Sequence, residues 1–391
     1  MTDLEFLFLI LAAVYLTQCV SWVAPHAKVF TRTVRGRWQA RAPEIELSAW
    51  STKAAVANLL PFSAGVVLAE PEPLPITPQG IVVRVSGAES AAENESPWEL
   101  LRWEEMTKIT AQGDRVRVDG KTAYRAVSAA EAARLVEFLR GVKKLAGGAR
   151  ASAIEKELKR RCDARAAQER YEEYRAASRW PGAFANLLSV LLLVIVPVYI
   201  EMGARVIQWL ALLITALVTI VLTTLSFRRA HRGLYPDEKD ARFSETLTVA
   251  LSPFAAMRAR DALSRNSLAA YDPLTVALTL LRPAAFETEA ARVYRDMHFP
   301  VPLAQPPPAE VGKELEWFRD LRNRVLATFI KKHCANPAQF LEAPPRSSPA
   351  SATYCPRCHA QFRMESGICS DCRGVNLLAF AAGETVSPER V

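Results

Sequence analysis

The sequence has no disulfide framework. Of its seven cysteines, Cys19, Cys162 and Cys334 are scattered. The other four form one tight pair-of-pairs near the C-terminus, which favours a reducing compartment and a metal site. A catalytic constellation is also missing, because no nucleophile, base and orienting group are placed to converge. Charge is absent from two long runs, FANLLSVLLLVIVPVYI ending at Ile200 and VIQWLALLITALVTIVLTTLSF ending at Phe227. Acid is absent between Pro25 and Pro43, where Lys28, Arg32, Arg35, Arg37 and Arg41 lie. The apolar run Phe6 to Ala24 has no basic n-region, only Asp3 and Glu5 before it. That excludes an ordinary signal peptide. Bulky Gln18 disfavours lipoprotein cleavage at Cys19, so an uncleaved anchor is expected.

What is present follows from those gaps. The chain has 391 residues, half of them hydrophobic, and a net charge of +8, enough for two or three modules. Its Ala and Arg usage is that of a GC-rich bacterial genome. The two uncharged runs each approach the roughly 20 residues needed to cross a hydrocarbon core. The break between them, Glu201 to Arg205, leaves room only for an antiparallel hairpin over 183–227. With residues 1–25 the reading is an integral membrane protein with three transmembrane helices. Arg175 and Arg179 precede the hairpin, and Arg228, Arg229 and Arg232 follow it. The positive-inside rule then puts the N-terminus outside and the bulk of the chain in the cytoplasm, at a bacterial inner membrane. Trp22, Trp180, Tyr199 and Trp209 sit near the span ends, as interfacial aromatics do. Ala211, Thr215, Thr219 and Thr223 make a four-residue stripe suited to close helix approach, within the chain or in a homo-oligomer. The spans lack ionisable groups, so a transporter is not expected.

After a basic juxtamembrane segment, 26–73, residues 74–142 read as a small β-rich domain closed by a helix. Pro78-Gln-Gly80 is a turn before strand Ile81 to Val85, and Asp119-Gly120 suits a type I′ hairpin. Ser128-Ala-Ala-Glu131 is a capping box opening the closing helix. This order, W…I…G-D-x-V-x-V-D-G…S-x-x-E-A-A-x-L-x-x-F-L, resembles the small bacterial pleckstrin-homology-like domains found beside membrane spans. The resemblance implies a binding or scaffolding barrel without catalytic residues. Lys108, Arg115, Arg117 and Lys121 read as the solvated face of its strands, with lipid headgroups as the alternative ligand. Residues 150–180 form a charged helical stalk, its helix opening at the Ser152–Glu155 capping box.

Beyond the hairpin, 228–299 reads as a helical bundle. Ser252-Pro253 and Asp272-Pro273 each place an N-cap before a proline at the first helical position. Asp261, Arg258, Arg265 and His298 are the polar groups here that an enzyme would use; without convergence they read as surface. A Pro-rich linker, 300–309, precedes an amphipathic helix over 310–334. A Pro/Ser linker, 335–353, then leads to the last module, expected to be tethered rather than packed.

That module, 354–375 before a flexible tail 376–391, carries specific chemistry. Cys355-Pro-Arg-Cys358 and Cys369-Ser-Asp-Cys372 are two C-x2-C knuckles ten residues apart. Two intervening residues let a turn present both sulfurs to one ion, and a second knuckle completes a tetrahedral thiolate shell. The array resembles the zinc-ribbon family at Cys355, Cys358, Cys369 and Cys372, which implies structural Zn2+, with Tyr354 and Phe362 packing beside it. A segment this small has almost no core, so metal would supply its folding energy. Cys355 to His359 also satisfies the C-x-x-C-H haem pattern, but the second knuckle would then be unexplained. Iron in a rubredoxin-like site is the other alternative. Together these readings predict a membrane-anchored scaffold or regulatory adaptor that binds the lipid bilayer and a protein partner. Membrane-bound enzyme and electron-transfer protein are the alternative classes. Nucleic acid is not expected, because Arg357, Arg363 and Arg373 form no dense basic-aromatic surface.

Overall fold

A computed structural model describes residues 3–21, 27–32, 37–41, 66–70, 72–84, 97–303, 305–372 and 374–380. Trp22, Arg35 and Arg373 lie outside the described residues, as do the Cys19 side chain and most of the tail. Helix α1 (Asp3–Ser21) is followed by strands β1 (Lys28–Arg32), β2 (Trp38–Arg41) and β3 (Val66–Ala69). Next come β4 (Gly80–Arg84), β5 (Trp98–Arg102), β6 (Ile109–Gln112), β7 (Arg115–Val118) and β8 (Lys121–Arg125). Helices α2 (Ala129–Lys143), α3 (Gly147–Arg161) and α4 (Ala164–Ala177) lead to α5 (Arg179–Glu201) and α6 (Val206–Leu234). Then follow α7 (Lys239–Leu251), α8 (Pro253–Met257), α9 (Ala259–Arg265), α10 (Pro273–Leu280), α11 (Pro283–His298) and α12 (Ala309–His333). Three two-residue strands close the order: β9 (Thr353–Tyr354), β10 (Gln361–Phe362) and β11 (Leu378–Ala379).

The protein is mixed helix and sheet, and the three-span reading is corrected. Among the described residues two helices, α5 and α6, are long and apolar enough to cross a membrane. Helix α1 is not. Among the residues whose side chains are described, its apolar stretch is Glu5–Tyr15, which at 1.5 Å per residue reaches about half of a 30 Å hydrocarbon core.

The chain forms two compact units: 1–73, 108–140 and 163–281 in the first, 74–107, 141–162 and 282–391 in the second. In the first, α5 and α6 form the hairpin. Gly203, at φ 62°, makes the left-handed turn after α5, and the Gln208 side chain caps the Arg205 N–H at 2.7 Å. Leu212, Ala216, Thr219, Thr223, Phe227 and Ala230 form the buried stripe of α6. Its small members let backbones approach closely. Thr215, Thr219 and Thr223 each donate to the carbonyl four residues back at 2.7 Å, so their hydroxyls are satisfied without a partner helix. Thr219 and Thr223 are buried, while Ala211 and Thr215 are exposed. Helix α5 contains one π-wound turn, Leu191–Ile195, in which the Val196 N–H bonds back to the Leu191 carbonyl. Pro197 explains it: lacking an N–H, it leaves the ladder open where the wider turn forms.

Tyr174, Leu188, Phe227, Met257 and Leu263 join in the main core of this unit, where the Tyr235 hydroxyl donates to the Leu263 carbonyl at 2.6 Å. A second cluster gathers Val29, Val66, Leu68, Val127 and Ala269. It covers an antiparallel sheet of order β2-β1-β3, so the basic segment after α1 contributes strands. Strands β6-β7-β8 make another antiparallel sheet, turned at Asp119 and Gly120 with φ 48° and 85°. The run 150–180 is two helices. Asp163 accepts from the Arg165 and Ala166 N–H groups at 3.0 Å and starts α4 anew. Ser152 lies inside α3, which begins at Gly147.

In the second unit β4 and β5 pair antiparallel, Gly80 opposite Arg102. A Cβ on Gly80 would meet the Leu101 carbonyl oxygen at 2.0 Å, so only glycine permits this approach. The Trp103 indole is buried and donates to the Thr77 carbonyl at 3.0 Å, with the Arg150 guanidinium 5.9 Å from its ring. Arg102 pairs with Glu310 of α12. The strands of 74–125 therefore lie in two separate sheets, of two and three strands.

Candidate metal centre

The C-terminal sheet has the order β10-β9-β11, with Gln361 opposite Tyr354 and Leu378 opposite the same residue. Each C-x2-C turn hangs from it. In the first, the Cys355 N–H donates to the Ala360 carbonyl and the His359 N–H to the Cys355 carbonyl, both at 2.9 Å. His359 takes φ 64° to close this turn. In the second, the Cys369 N–H donates to the Val375 carbonyl at 2.9 Å, and Gly374 at φ 98° makes the left-handed step after Cys372.

The sulfurs converge. One ligand atom from each of Cys355, Cys358, Cys369 and Cys372 lies within 4.8 Å of the others. The Cys358 and Cys369 sulfurs are 3.7 Å apart. A tetrahedral ion with bonds of about 2.3 Å requires sulfur–sulfur edges of about 3.8 Å. Cys355, Cys369 and Cys372 are buried and Cys358 is exposed. The site can therefore hold a metal ion, and its all-thiolate donor set fits a closed structural shell.

Electrostatics agree with that use. Although the residue is exposed overall, desolvation of its sulfur, which sits 3.7 Å from that of Cys369, pushes the Cys358 thiol up to about 11. Burial, with Cys358 and Cys355 close by, raises Cys372 further. Burial would also raise Cys369, but the backbone N–H groups of Cys372 and Asp371 and the neighbouring thiols outweigh it, and its thiol is lowered. A cation reverses the balance by stabilising all four thiolates at once. His359 is lowered to about 4 by burial and by Arg295, so it is neutral beside the knuckle.

The module is seated rather than tethered. Phe299 and Val301, from the end of α11 and the Pro-rich stretch, pack on the cluster of Cys355, Cys369, Cys372, Val375 and Leu377. Arg357, inside the first knuckle, donates from Nε to Asp296 of α11 at 2.7 Å, and Arg295 donates to the Arg357 carbonyl at 2.9 Å. Gln361 ties the Pro/Ser stretch down, accepting from Ser347 at 2.9 Å and donating to the Pro345 carbonyl at 2.7 Å. Sequence reasoning missed these anchors; the Phe299-Pro-Val301 pair of apolar residues inside a proline-rich stretch was their one signal.

The polar residues of the helical region are only partly gathered. Arg258 and Asp261 form a buried ion pair at 2.7 Å in the first unit. His298 belongs to the second unit, is exposed, and has Nδ1 2.8 Å from the Tyr294 carbonyl. The Arg265 side chain lies outside the described residues. Cys334, capping α12, is buried and raised by that burial. Comparison with known protein families, with curated proteins and with solved structures gave no match.

Proposed function

We propose that this chain is a non-catalytic adaptor, held at a membrane by the α5–α6 hairpin, that presents a zinc-loaded ribbon to a protein partner. The observation that carries the reading is the convergence of four thiol sulfurs within 4.8 Å. Zn2+ on Cys355, Cys358, Cys369 and Cys372 is favoured because four sulfurs close a tetrahedral shell with no open position for chemistry. The membrane part rests on what α5 and α6 leave uncovered. Their apolar windows are only 17% and 28% buried by protein. A core helix of a water-soluble domain would be covered. Both helices are also far from the N-terminus, unlike a signal sequence. Basic residues at the open end of the hairpin favour the cytoplasmic face.

The test is fractionation, metal content and a visible spectrum on the full-length protein. Extraction from membranes only with detergent, about one zinc per chain and no visible absorption support the proposal. Iron–thiolate bands or covalent haem would move the function to electron transfer, and release without detergent would remove the membrane part.

A further inference from the structure

The first unit contains an open cavity of about 710 Å³ where α4 meets α5 and α9. Three arginines line it: Arg175 from the last turn of α4, Arg179 from the first turn of α5 and Arg260 from α9. Among the described residues none of the three has a carboxylate within 4.0 Å. Glu172 is the one acid in the wall, and it takes a hydrogen bond from Gln168 at 2.7 Å. Arg260 is held against the α5 backbone: a Cβ on Gly182 would meet its Cδ at 3.1 Å. Its Nε is buried without a hydrogen-bond partner. Three like charges lining one cavity repel one another, and an anion relieves that repulsion.

We propose that this cavity binds the phosphoryl group of an anionic ligand, and that its source is a phospholipid headgroup. Guanidinium groups match phosphate oxygens in forked, bidentate fashion. The volume lies within the 300–1,000 Å³ typical of ligand sites. The lipid source follows from the continuation of the wall. Asn186 lines the cavity two turns into α5, and beyond it Leu187, Val190 and Val194 are exposed, a path for acyl chains. A basic pocket at the base of apolar helices is the known setting for acidic headgroups. The phosphoryl site stands on the cavity itself; only the lipid source rests on the membrane reading above.

The experiment compares full-length wild type with Arg175→Gln/Arg179→Gln, both exposed positions, and with Glu172→Gln. Each is placed in nanodiscs of phosphatidylcholine alone or with about one-fifth phosphatidylglycerol. Phosphatidylglycerol retained per protein is measured by native mass spectrometry, with the thermal unfolding midpoint by tryptophan fluorescence as the check on folding. Retention by the double variant should fall about 25-fold, from roughly fivefold per arginine at a charged membrane surface. Retention by Glu172→Gln should rise. A parallel arm adds millimolar inorganic phosphate at fixed ionic strength in phosphatidylcholine discs or, if the protein does not enter discs, in buffer. Phosphate that stabilises wild type but not the double variant, without lipid retention, keeps the phosphoryl site and assigns a soluble source. Equal retention by all three proteins with no phosphate effect overturns the site.

Discussion

Arg258 and Asp261 are 1% and 4% exposed, with guanidinium and carboxylate 2.7 Å apart one helical turn from each other. Asp261→Asn keeps the shape but leaves the guanidinium buried without its countercharge. Breaking one side of a buried pair costs about 3–5 kcal/mol. In a unit of roughly 200 residues, each kcal/mol moves Tm by about 2–4 °C, so a fall of about 6–20 °C is expected. The double change Arg258→Met/Asp261→Leu removes both charges at similar volume and should return Tm to near the wild-type value or above it. The assay is thermal unfolding in detergent, followed by tryptophan fluorescence, with zinc content as a control for the second unit. A single variant within about 2 °C of wild type would refute the structural assignment of this pair. So would a double variant as unstable as the single one. Loss of an enzymatic activity by Asp261→Asn at unchanged Tm would instead return the pair to the catalytic class.

Three further outcomes are expected. Cys369→Ser should reduce zinc from about one per chain to a small fraction and open 353–380 to protease, while the hairpin unit keeps its Tm. Asp296→Ala removes the Arg357 anchor, a half-exposed pair at 2.7 Å. It should loosen the ribbon by about 1 kcal/mol, seen as faster amide exchange around Cys355 with zinc retained. The Cys358 thiol is held up to about 11, so its proton is still bound at neutral pH and must leave when metal enters. Zinc affinity should therefore fall steeply as pH drops from about 8 to 5, and titration calorimetry in buffers of different ionisation enthalpy should show protons released.

Signals local in sequence were legible. The two uncharged runs fold as α5 and α6, with Pro197 absorbed by the single π-wound turn. The knuckle spacing brings its sulfurs together, and Asp119-Gly120 makes its turn. Ser252 and Asp272 cap as expected, accepting from Ala255 at 3.3 Å and Leu274 at 2.9 Å. Signals carried by distant partners were not. Strand β1 is defined by pairing Lys28 with Ala69 across a long intervening segment, and the five basic residues from Lys28 to Arg41 read as a membrane flank. The stalk broke because Asp163 bonds to the backbone after it, a capping choice hidden inside an otherwise helical pattern. Helix α1 read as a span on the run Phe6 to Ala24, of which the described side chains give an apolar stretch of Glu5–Tyr15. The seat of the ribbon was hidden for the opposite reason: prolines around Phe299 and Val301 read as a spacer, although those two side chains meet the metal knuckles.

The π-wound turn of α5 has a mechanical consequence. Below it, Pro181, Gly182, Ala185, Leu188 and Ser189 are buried in the unit; within and above it no residue of α5 is. One extra residue in a single turn swings every later side chain by about 100° around the rod. The lower half is thus keyed to its own protein, while the upper half is turned to address whatever surrounds it. A substitution that restored regular winding would misalign one half to satisfy the other.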